Sequence, residues 1–206
     1  MSQLGFYFNG QRCTGCKTCE LACKDYKELG TEIAYRHIYE YTGGSWTQSG
    51  ELWNEDVFSY YISGACNHCD KPACLANCPQ GAIFKEEDTG IVQIDVEKCI
   101  ACGTCVTSCP YGAPRVDTQK NHSVKCNLCS ERVAENQAPI CVESCPLRAL
   151  EYGDIEELRS KYGDEAAIAP LPDPSQTDPN LVITQVKQAK KSGDTSGMVA
   201  NEHEVA

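Results

Sequence analysis

Sixteen of the 206 residues are cysteines, and they fall into four groups of four along the chain. The groups are Cys13, Cys16, Cys19 and Cys23; Cys66, Cys69, Cys74 and Cys78; Cys99, Cys102, Cys105 and Cys109; and Cys126, Cys129, Cys141 and Cys145. Thiolates are ligands for zinc and for iron–sulfur clusters, so closely spaced cysteines of this kind indicate metal binding. A chain of this length suits one or two domains.

The spacing within the groups narrows the metal chemistry. The first and third groups read C-x2-C-x2-C-x3-C, the second reads C-x2-C-x4-C-x3-C, and the fourth reads C-x2-C-x11-C-x3-C. The C-x2-C-x2-C-x3-C-P run is typical of two-cluster bacterial ferredoxins, in which the fourth cysteine binds the neighbouring 4Fe–4S cluster. A proline follows the second, third and fourth groups, whereas Lys24 follows the first. Structural zinc is the alternative, and it suits the widely spaced fourth group better than the other three.

Composition and charge argue against several other classes. The apolar fraction of 41 % predicts a modest core, and the net charge of −11 argues against nucleic-acid binding. No stretch of 18 apolar residues is present, so no membrane span is predicted, and the start MSQLGFYFNG does not have the pattern of an export signal. Without a secretory route, we expect thiols rather than structural disulfides. The sequence shows no Ser/His/Asp arrangement, Walker loop or GxGxxG motif, so we predict no catalytic residue and no nucleotide site.

The sequences that flank the groups predict how the groups pair. PQGAIF follows the second group and IVQID precedes the third, with an acidic turn between them, which predicts a β-hairpin that joins these two groups. PLRALEY follows the fourth group, and GFYFN precedes the first in the position that IVQID holds before the third. We therefore expect ALEY to pair with GFYFN, and the fourth group to pair with the first. Pairing of the first group with the second, and of the third with the fourth, is the competing arrangement.

The predicted fold is α+β, with two ferredoxin-like two-cluster units, one inserted in the other. The split unit comprises residues 1–59 and 116–152, the inserted unit residues 60–115, and the C-terminal part residues 153–206. Because the fourth cysteine of a run binds the partner cluster, the ligands divide into four predicted sets. The sets are Cys13, Cys16, Cys19 and Cys145 (cluster 1); Cys23, Cys126, Cys129 and Cys141 (cluster 2); Cys66, Cys69, Cys74 and Cys109 (cluster 3); and Cys78, Cys99, Cys102 and Cys105 (cluster 4).

Two segments lie outside the cysteine pattern. Residues 24–59 form a predicted β-rich insertion with many aromatic side chains, with strands in AYRHIYEY and DVFSYYIS and a turn at GGSW. These aromatics pack over the clusters or form a contact surface for a partner. Residues 153–206 contain the predicted helix DIEELRSKY and then four prolines, which favours an extended arm that binds a larger subunit; a free solubilising tail is the alternative.

Several polar residues adjoin the cysteines. We predict that His68, within the second group, lies beside the ligands or in solvent and is not itself a ligand, because a Rieske site needs two histidines in place of two cysteines and no cysteine is missing. Basic residues adjoin the runs at Lys24, Lys71, Lys98, Arg115, Lys125 and Arg148. Such charges raise the potentials of nearby clusters, or they are ordinary solubilising charges that solvent screens.

Four stretches and part of the tail resemble one family of four-cluster proteins. GFYFNGQRCTGCKTCELACKDYKELG, RHIYEYTGGSW, NHCDKPACLANCPQGAI and ICVESCPLRALEYG, together with PLPDPSQTDPNLVI, resemble the iron–sulfur subunits of anaerobic dimethyl sulfoxide reductases. The resemblance covers essentially the whole chain. Related four-cluster subunits serve nitrate reductases, formate dehydrogenases and polysulfide reductases.

The resemblance implies four 4Fe–4S clusters and a heterotrimer in which this chain is the non-catalytic subunit. A large molybdopterin subunit would reduce dimethyl sulfoxide or related S- and N-oxides, and a multi-span membrane anchor would oxidise menaquinol. By the same resemblance, electrons enter at cluster 4 and leave at cluster 1, and the partners hold the chain at the bacterial cytoplasmic membrane, on a face that the sequence leaves open. Alternatives are a subunit of another molybdenum oxidoreductase, a free polyferredoxin and a zinc-stabilised interaction protein.

Overall fold

Short strands and short helices alternate through residues 2–205, which the computed structural model describes. The strands are β1 (Leu4–Asn9), β2 (Arg36–Gly43), β3 (Trp46–Ser49), β4 (Leu52–Glu55), β5 (Phe58–Ala65), β6 (Ile83–Lys85), β7 (Val92–Ile94), β8 (Arg115–Asp117), β9 (His122–Val124), β10 (Leu150–Asp154), β11 (Leu181–Thr184) and β12 (Gly197–Val199). The helices are α1 (Thr18–Tyr26), α2 (Ala73–Ala76), α3 (Thr104–Ser108), α4 (Ser130–Ala134), α5 (Ile140–Glu143), α6 (Ile155–Tyr162) and α7 (Glu202–Val205), with one 3-10 helix at Pro174–Gln176. Helices and strands are therefore both present, with mainly antiparallel strand pairs, as expected for the predicted α+β class.

Strand β1 is the centre of a three-stranded sheet in the order β10-β1-β11. β10 lies antiparallel to β1 with Phe6 opposite Tyr152, which confirms the predicted pairing of GFYFN with ALEY. β11 lies parallel to β1 on its other edge, with Phe6 opposite Leu181. Because side chains alternate along a strand, Phe6 and Phe8 face the main core, whereas Tyr7 faces the opposite side of the sheet.

Helix α6 covers that opposite side of the sheet and confirms the predicted DIEELRSKY helix. The Asp154 carboxylate caps it by accepting hydrogen bonds from the backbone amides of Glu156 and Glu157. Two buried apolar residues of the helix pack with Tyr7, and the Tyr162 ring stacks on the Tyr7 ring with the centroids 3.7 Å apart. The sheet is thus covered on both faces.

The aromatic insertion forms a second sheet in the order β12-β2-β5. β2 and β5 pair antiparallel with Tyr41 opposite Tyr60, which confirms the two strands predicted in this segment. Tyr41 and Tyr60 are buried in the main core. GGSW is more than the predicted turn, since Trp46 begins the exposed hairpin β3–β4, on which Trp46 and Trp53 are 62 % and 60 % exposed. The aromatics therefore divide between core packing and an exposed surface.

Two further hairpins connect the cysteine groups. β6 and β7 pair antiparallel with Ile83 opposite Ile94, which confirms the hairpin predicted between the second and third groups. β8 and β9 pair antiparallel between the third and fourth groups. Among residues 2–205, no helix is long and apolar enough to cross a bilayer.

The C-terminal segment differs from the predicted extended arm. β11 is part of the first sheet, β12 is an edge of the second, and Ile168 and Val182 are each no more than 1 % exposed. These residues therefore pack on this chain in part, and the expectation that residues 153–206 bind a larger subunit stays a prediction. The apolar run LVIT packs against β1 because its side chains are buried there, although four prolines in the segment before it restrict regular structure.

Asn180 fixes this segment to the second cysteine group, and we expect Asn180→Ala to destabilise the protein. Its side-chain amide donates to the carbonyl of His68 at 2.8 Å and to the Asp70 carboxylate at 3.0 Å, and the residue is fully buried. The substitution leaves a buried carbonyl without its donor, which costs about 1–3 kcal/mol. Urea unfolding of the metal-loaded protein under anaerobic conditions measures the loss, with the exposed Gln188→Ala as control. Equal midpoints for the two variants would contradict the expectation.

Candidate metal centres

All four C-x-x-C loops share one backbone feature. The residue directly before the second cysteine of each loop has a left-handed conformation: Gly15 (φ 69°), His68 (φ 46°), Ala101 (φ 55°) and Leu128 (φ 56°). Left-handed φ values are unfavourable for residues other than glycine, so three of these loops store strain of the kind that concentrates at functional sites. The four groups therefore adopt the same tight turn, although only one of them contains a glycine at that position.

Three cavities are each lined by four cysteines, three from one group and one from another. The cavities contain Cys13, Cys16, Cys19 and Cys145; Cys66, Cys69, Cys74 and Cys109; and Cys78, Cys99, Cys102 and Cys105. All sixteen cysteines lie within the described residues and none is in a disulfide. Within residues 2–205, no group of three or more His, Cys, Asp or Glu side chains is arranged around a single metal ion.

The remaining four cysteines are all buried and lie close together. Burial raises the pKa of Cys23 to about 12, and the charges of Cys141 and Cys129 add to that effect. Burial also raises the pKa of Cys126, with Cys66, Cys23 and Cys141 as its charged neighbours. Helices α1 and α5 pack against each other and bring Cys23 and Cys141 together, although they are far apart in the sequence.

Backbone amides and hydroxyl groups surround the sulfurs in a repeated pattern. In two of the cavities, the amide four residues after a cysteine donates to its sulfur at 3.3 Å, and a hydroxyl lies beside both the second and third cysteines of the run. The pairs are Ala149 N with Cys145, Thr18 with Cys16, and Ser63 with Cys19 in one cavity, and Ala82 N with Cys78, Thr104 with Cys102, and Ser123 with Cys105 in the other. Hydrogen bonds to sulfur stabilise the anionic form, so this arrangement suits thiolate ligands.

The thiols divide into two electrostatic classes. Burial raises the pKa of Cys13 to about 11, so this thiol is neutral in the absence of a cation. Hydrogen bonds from the Thr18 and Thr104 hydroxyls lower the pKa values of Cys16 and Cys102, the two exposed cysteines. A metal or cluster must displace protons from the buried thiols when it binds. Its affinity therefore depends on pH, and once bound it holds the buried sulfurs as thiolates.

His68 does not line any of the three cysteine-lined cavities, and it is fully buried. Its Nδ1 accepts a hydrogen bond from the Val92 amide at 3.0 Å, and burial holds its pKa well below the ordinary value. The ring is therefore neutral and connects the second cysteine group to β7, just as Asn180 connects it to the C-terminal segment.

Most of the basic residues that adjoin the runs have other partners. The Lys24 ammonium donates to three backbone carbonyls, and Lys71 and Lys98 form ion pairs with Asp178 and Asp95 on the surface. Lys125 differs, because it is buried with its ammonium 3.6 Å from the Cys66 sulfur.

The sequence analysis missed Arg36, a buried arginine on β2 whose guanidinium faces sulfurs of two groups. Arg36 lies in a strand that is distant in sequence from the later cysteine groups, so no local pattern indicated that it would face their sulfurs.

Comparison with family models defines the class of the protein. Residues 57–155 match a 4Fe-4S dicluster domain, and residues 11–27 match a 4Fe-4S binding domain. With the four cysteine groups in their shared turns, this makes the chain a ferredoxin-type iron–sulfur protein that holds multiple 4Fe–4S clusters.

Full-length relatives identify the family within that class. The chain is 56 % identical over 206 residues to the B subunit of the anaerobic dimethyl sulfoxide reductase of Haemophilus influenzae, covering 100 % of both proteins. It is 54 % identical over 204 residues to the protein of the same name in Escherichia coli, covering 99 % of each. The chain belongs to the family of anaerobic dimethyl sulfoxide reductase B subunits. The formate dehydrogenase-O iron-sulfur subunit of Escherichia coli is 35 % identical over 164 residues, which are 75 % of this chain and 54 % of that protein.

Proposed function

We propose that the chain is the electron-transfer subunit of a dimethyl sulfoxide reductase complex in anaerobic respiration. It transfers electrons from a menaquinol-oxidising membrane anchor to a molybdopterin subunit that reduces dimethyl sulfoxide or related S- and N-oxides. The three chains form a heterotrimer at the bacterial cytoplasmic membrane, and catalysis takes place on the molybdopterin subunit. The observation that carries the proposal is the set of cavities lined by three cysteines of one group and one of another, in a chain whose full-length relatives are named as B subunits of that reductase.

We propose that four ligand sets hold four 4Fe–4S clusters, which supply one-electron redox chemistry when bound. The three cavities support the sets of clusters 1, 3 and 4, and the proximity of Cys23, Cys126, Cys129 and Cys141 supports the set of cluster 2. The pairings β1–β10 and β6–β7 support the nested arrangement, because each joins the two cysteine groups that share ligands in this proposal. The competing arrangement pairs the first group with the second and the third with the fourth. In that arrangement Cys145 would lie away from Cys13, whereas the two residues line the same cavity.

The two exposed cysteines support two ends at which partners contact the chain of clusters, and the proposed direction between them follows the resemblance to the family. Cys102 belongs to the set of cluster 4, and Ile100, which lines the same cavity, is 58 % exposed. Cys16 belongs to the set of cluster 1, and Leu21, on the helix α1 that begins two residues after Cys16, is 63 % exposed. A ligand at the surface with apolar neighbours suits close contact with a partner protein. In the proposal, the membrane anchor covers the Cys102 end and the catalytic subunit covers the Cys16 end.

Metal and acid-labile sulfide analysis of anaerobically purified protein tests the proposal. We expect about sixteen iron and about sixteen sulfide per chain, because each of four cubanes contains four of each. Zinc without sulfide would overturn the proposal and favour a zinc-stabilised interaction protein.

Co-purification tests the assembly. Stoichiometric recovery with a molybdopterin subunit and an integral membrane subunit supports the heterotrimer. Recovery of the chain alone from detergent-solubilised membranes and from cytosol supports a free polyferredoxin.

A further inference from the structure

Two buried cationic side chains lie between the cysteine groups, and neither of them is a proposed cluster ligand. Arg36 on β2 is 2 % exposed and Lys125, directly before the fourth group, is 6 % exposed. Buried arginine and lysine side chains are rare unless they are paired with negative charge. Neither side chain has an ion pair with a carboxylate among the residues that the structure describes. Their negative partners therefore have to be the sulfurs and what the sulfurs bind.

The guanidinium of Arg36 lies between the sulfurs of clusters 1 and 2. Its Nη1 donates to the Ser63 hydroxyl at 2.9 Å and to the Ser63 carbonyl at 3.1 Å, and that hydroxyl lies 3.5 Å from the Cys19 sulfur. Its plane lies over the Phe6 ring, with Cζ 4.7 Å from the centroid. Its Nη2 is buried and has no hydrogen-bond partner among the described residues. The guanidinium is thus held firmly on one side and has an unused donor.

The charges that face Arg36 come from both ligand sets. Burial alone would lower the pKa of Arg36, but the thiolates of Cys141, Cys19 and then Cys126 and Cys23 raise it above its ordinary value. Cys19 belongs to the proposed set of cluster 1, and the other three belong to that of cluster 2. Helix α1, which carries both Cys19 and Cys23, packs against β2, so one cation on β2 lies beside both proposed ligand sets.

The ammonium of Lys125 occupies the corresponding place between clusters 2 and 3. It lies 3.6 Å from the sulfur of Cys66, a proposed ligand of cluster 3, and donates to the carbonyl of Cys126, a proposed ligand of cluster 2, at 2.9 Å. It also donates to the Val92 carbonyl. The two carbonyls fix the position of the ammonium beside the sulfur, so its charge is held in place rather than mobile.

We propose that Arg36 and Lys125 are positioning residues that set the reduction potentials of the inner centres, Arg36 at the junction of clusters 1 and 2 and Lys125 at the junction of clusters 2 and 3. The inference rests on the proposed function. A 4Fe–4S cluster with four thiolates carries a charge of about −2 when oxidised, and reduction adds another negative charge. A fixed cation within the low-dielectric interior offsets that charge far more than an exposed one does, because solvent does not screen it. Each cation thus favours the reduced state of the two clusters that it faces.

Potentiometric titration of the anaerobically purified complex, followed by electron paramagnetic resonance, tests the proposal. In Arg36→Gln, we expect the reduced-to-oxidised ratio of clusters 1 and 2 at a fixed potential to fall by about ten-fold or more, equivalent to about 59 mV per ten-fold for a one-electron couple. Lys125→Gln is expected to shift clusters 2 and 3 in the same direction, and cluster 4 is expected to stay unchanged in both. Lys71→Gln is the matched control, since this lysine also adjoins a cysteine group but is exposed and paired with Asp178.

The outcomes separate this inference from the proposed function. Wild-type protein without iron and sulfide would overturn the proposed function, whereas loaded variants with unchanged potentials would overturn the role of the two cations alone. If Arg36→Gln fails to retain iron, the Arg36→Lys variant distinguishes a role of the positive charge from a purely structural role. Restored iron and near-wild-type potentials in Arg36→Lys support a role of charge, whereas equal iron loss in both variants shows a purely structural role and overturns the inference.

Discussion

Cys102→Ser is expected to convert one cubane into a 3Fe–4S centre and to abolish quinol oxidation by the complex. Cys102 is an exposed cysteine in a cavity with three others, and the hydroxyl of Thr104 lies 3.3 Å from its sulfur. Removal of the thiolate leaves one iron with three inorganic sulfides and no protein ligand, so that iron is the one lost. The new centre has a different charge and therefore a different potential, which interrupts transfer from the anchor.

Electron paramagnetic resonance of the oxidised complex measures this conversion, together with menaquinol-dependent reduction of dimethyl sulfoxide. The control is Thr107→Ala on the same short helix, which removes an exposed hydroxyl and leaves every sulfur in place. Direct assay of the catalytic subunit with an artificial dye donor is expected to remain active in Cys102→Ser, because the change lies at the opposite end of the chain of clusters. An unchanged spectrum with unchanged quinol oxidation would show that Cys102 is not a ligand.

Removal of iron is expected to unfold the chain as well as to abolish its redox activity. Cysteine side chains are members of two of the buried apolar clusters, including Cys19, Cys66 and Cys126 in the largest one. Once iron is removed, the buried thiols become protonated, since burial raises the pKa of Cys13 to about 11 and that of Cys23 to about 12. The interior then loses the bonds that join distant segments, and the modest apolar core does not replace them.

Far-UV circular dichroism and protease resistance, measured during anaerobic treatment with an iron chelator, test this expectation. Iron loss should be faster at lower pH, because protons compete with iron for sulfurs whose thiol pKa values are raised. Chelator saturated with iron beforehand is the control for direct effects of the reagent. An iron-free chain that keeps its circular dichroism and protease resistance would contradict the expectation.

Local sequence patterns predicted the strand pairings around the cysteine groups. The pairing of GFYFN with ALEY follows from the equivalent positions of these segments beside the cysteine groups, and the structure confirms it in β1 and β10. The hairpin of β6 and β7 follows from a turn between two short apolar segments. Both predictions succeeded because the cysteine loop beside each strand fixes one end of that strand and so limits the strands with which it can pair.

The sequence was less informative where contacts join distant segments with no shared pattern. Nothing local indicates that LVIT pairs in parallel with β1, because a proline-rich segment followed by a short apolar run also fits an arm on another protein. Arg36 lies in a strand whose alternation predicts its direction but not what faces it, and the sulfurs that surround it come from groups before and after it. The sequence also does not reveal the left-handed residue before the second cysteine of each loop, since Ala101 and Leu128 rarely adopt that conformation.

The position of β1 has a consequence for the order in which the protein is made. The ribosome synthesises β1 first, but its two partner strands, β10 and β11, lie in the last third of the chain. With the proposed ligand sets, the second and third cysteine groups can be filled while the chain is still growing, whereas the first group must wait for Cys141 and Cys145. The first four thiols therefore remain open to oxygen and to competing metals until the fourth cysteine group has been synthesised, which makes this interval the vulnerable stage of biogenesis.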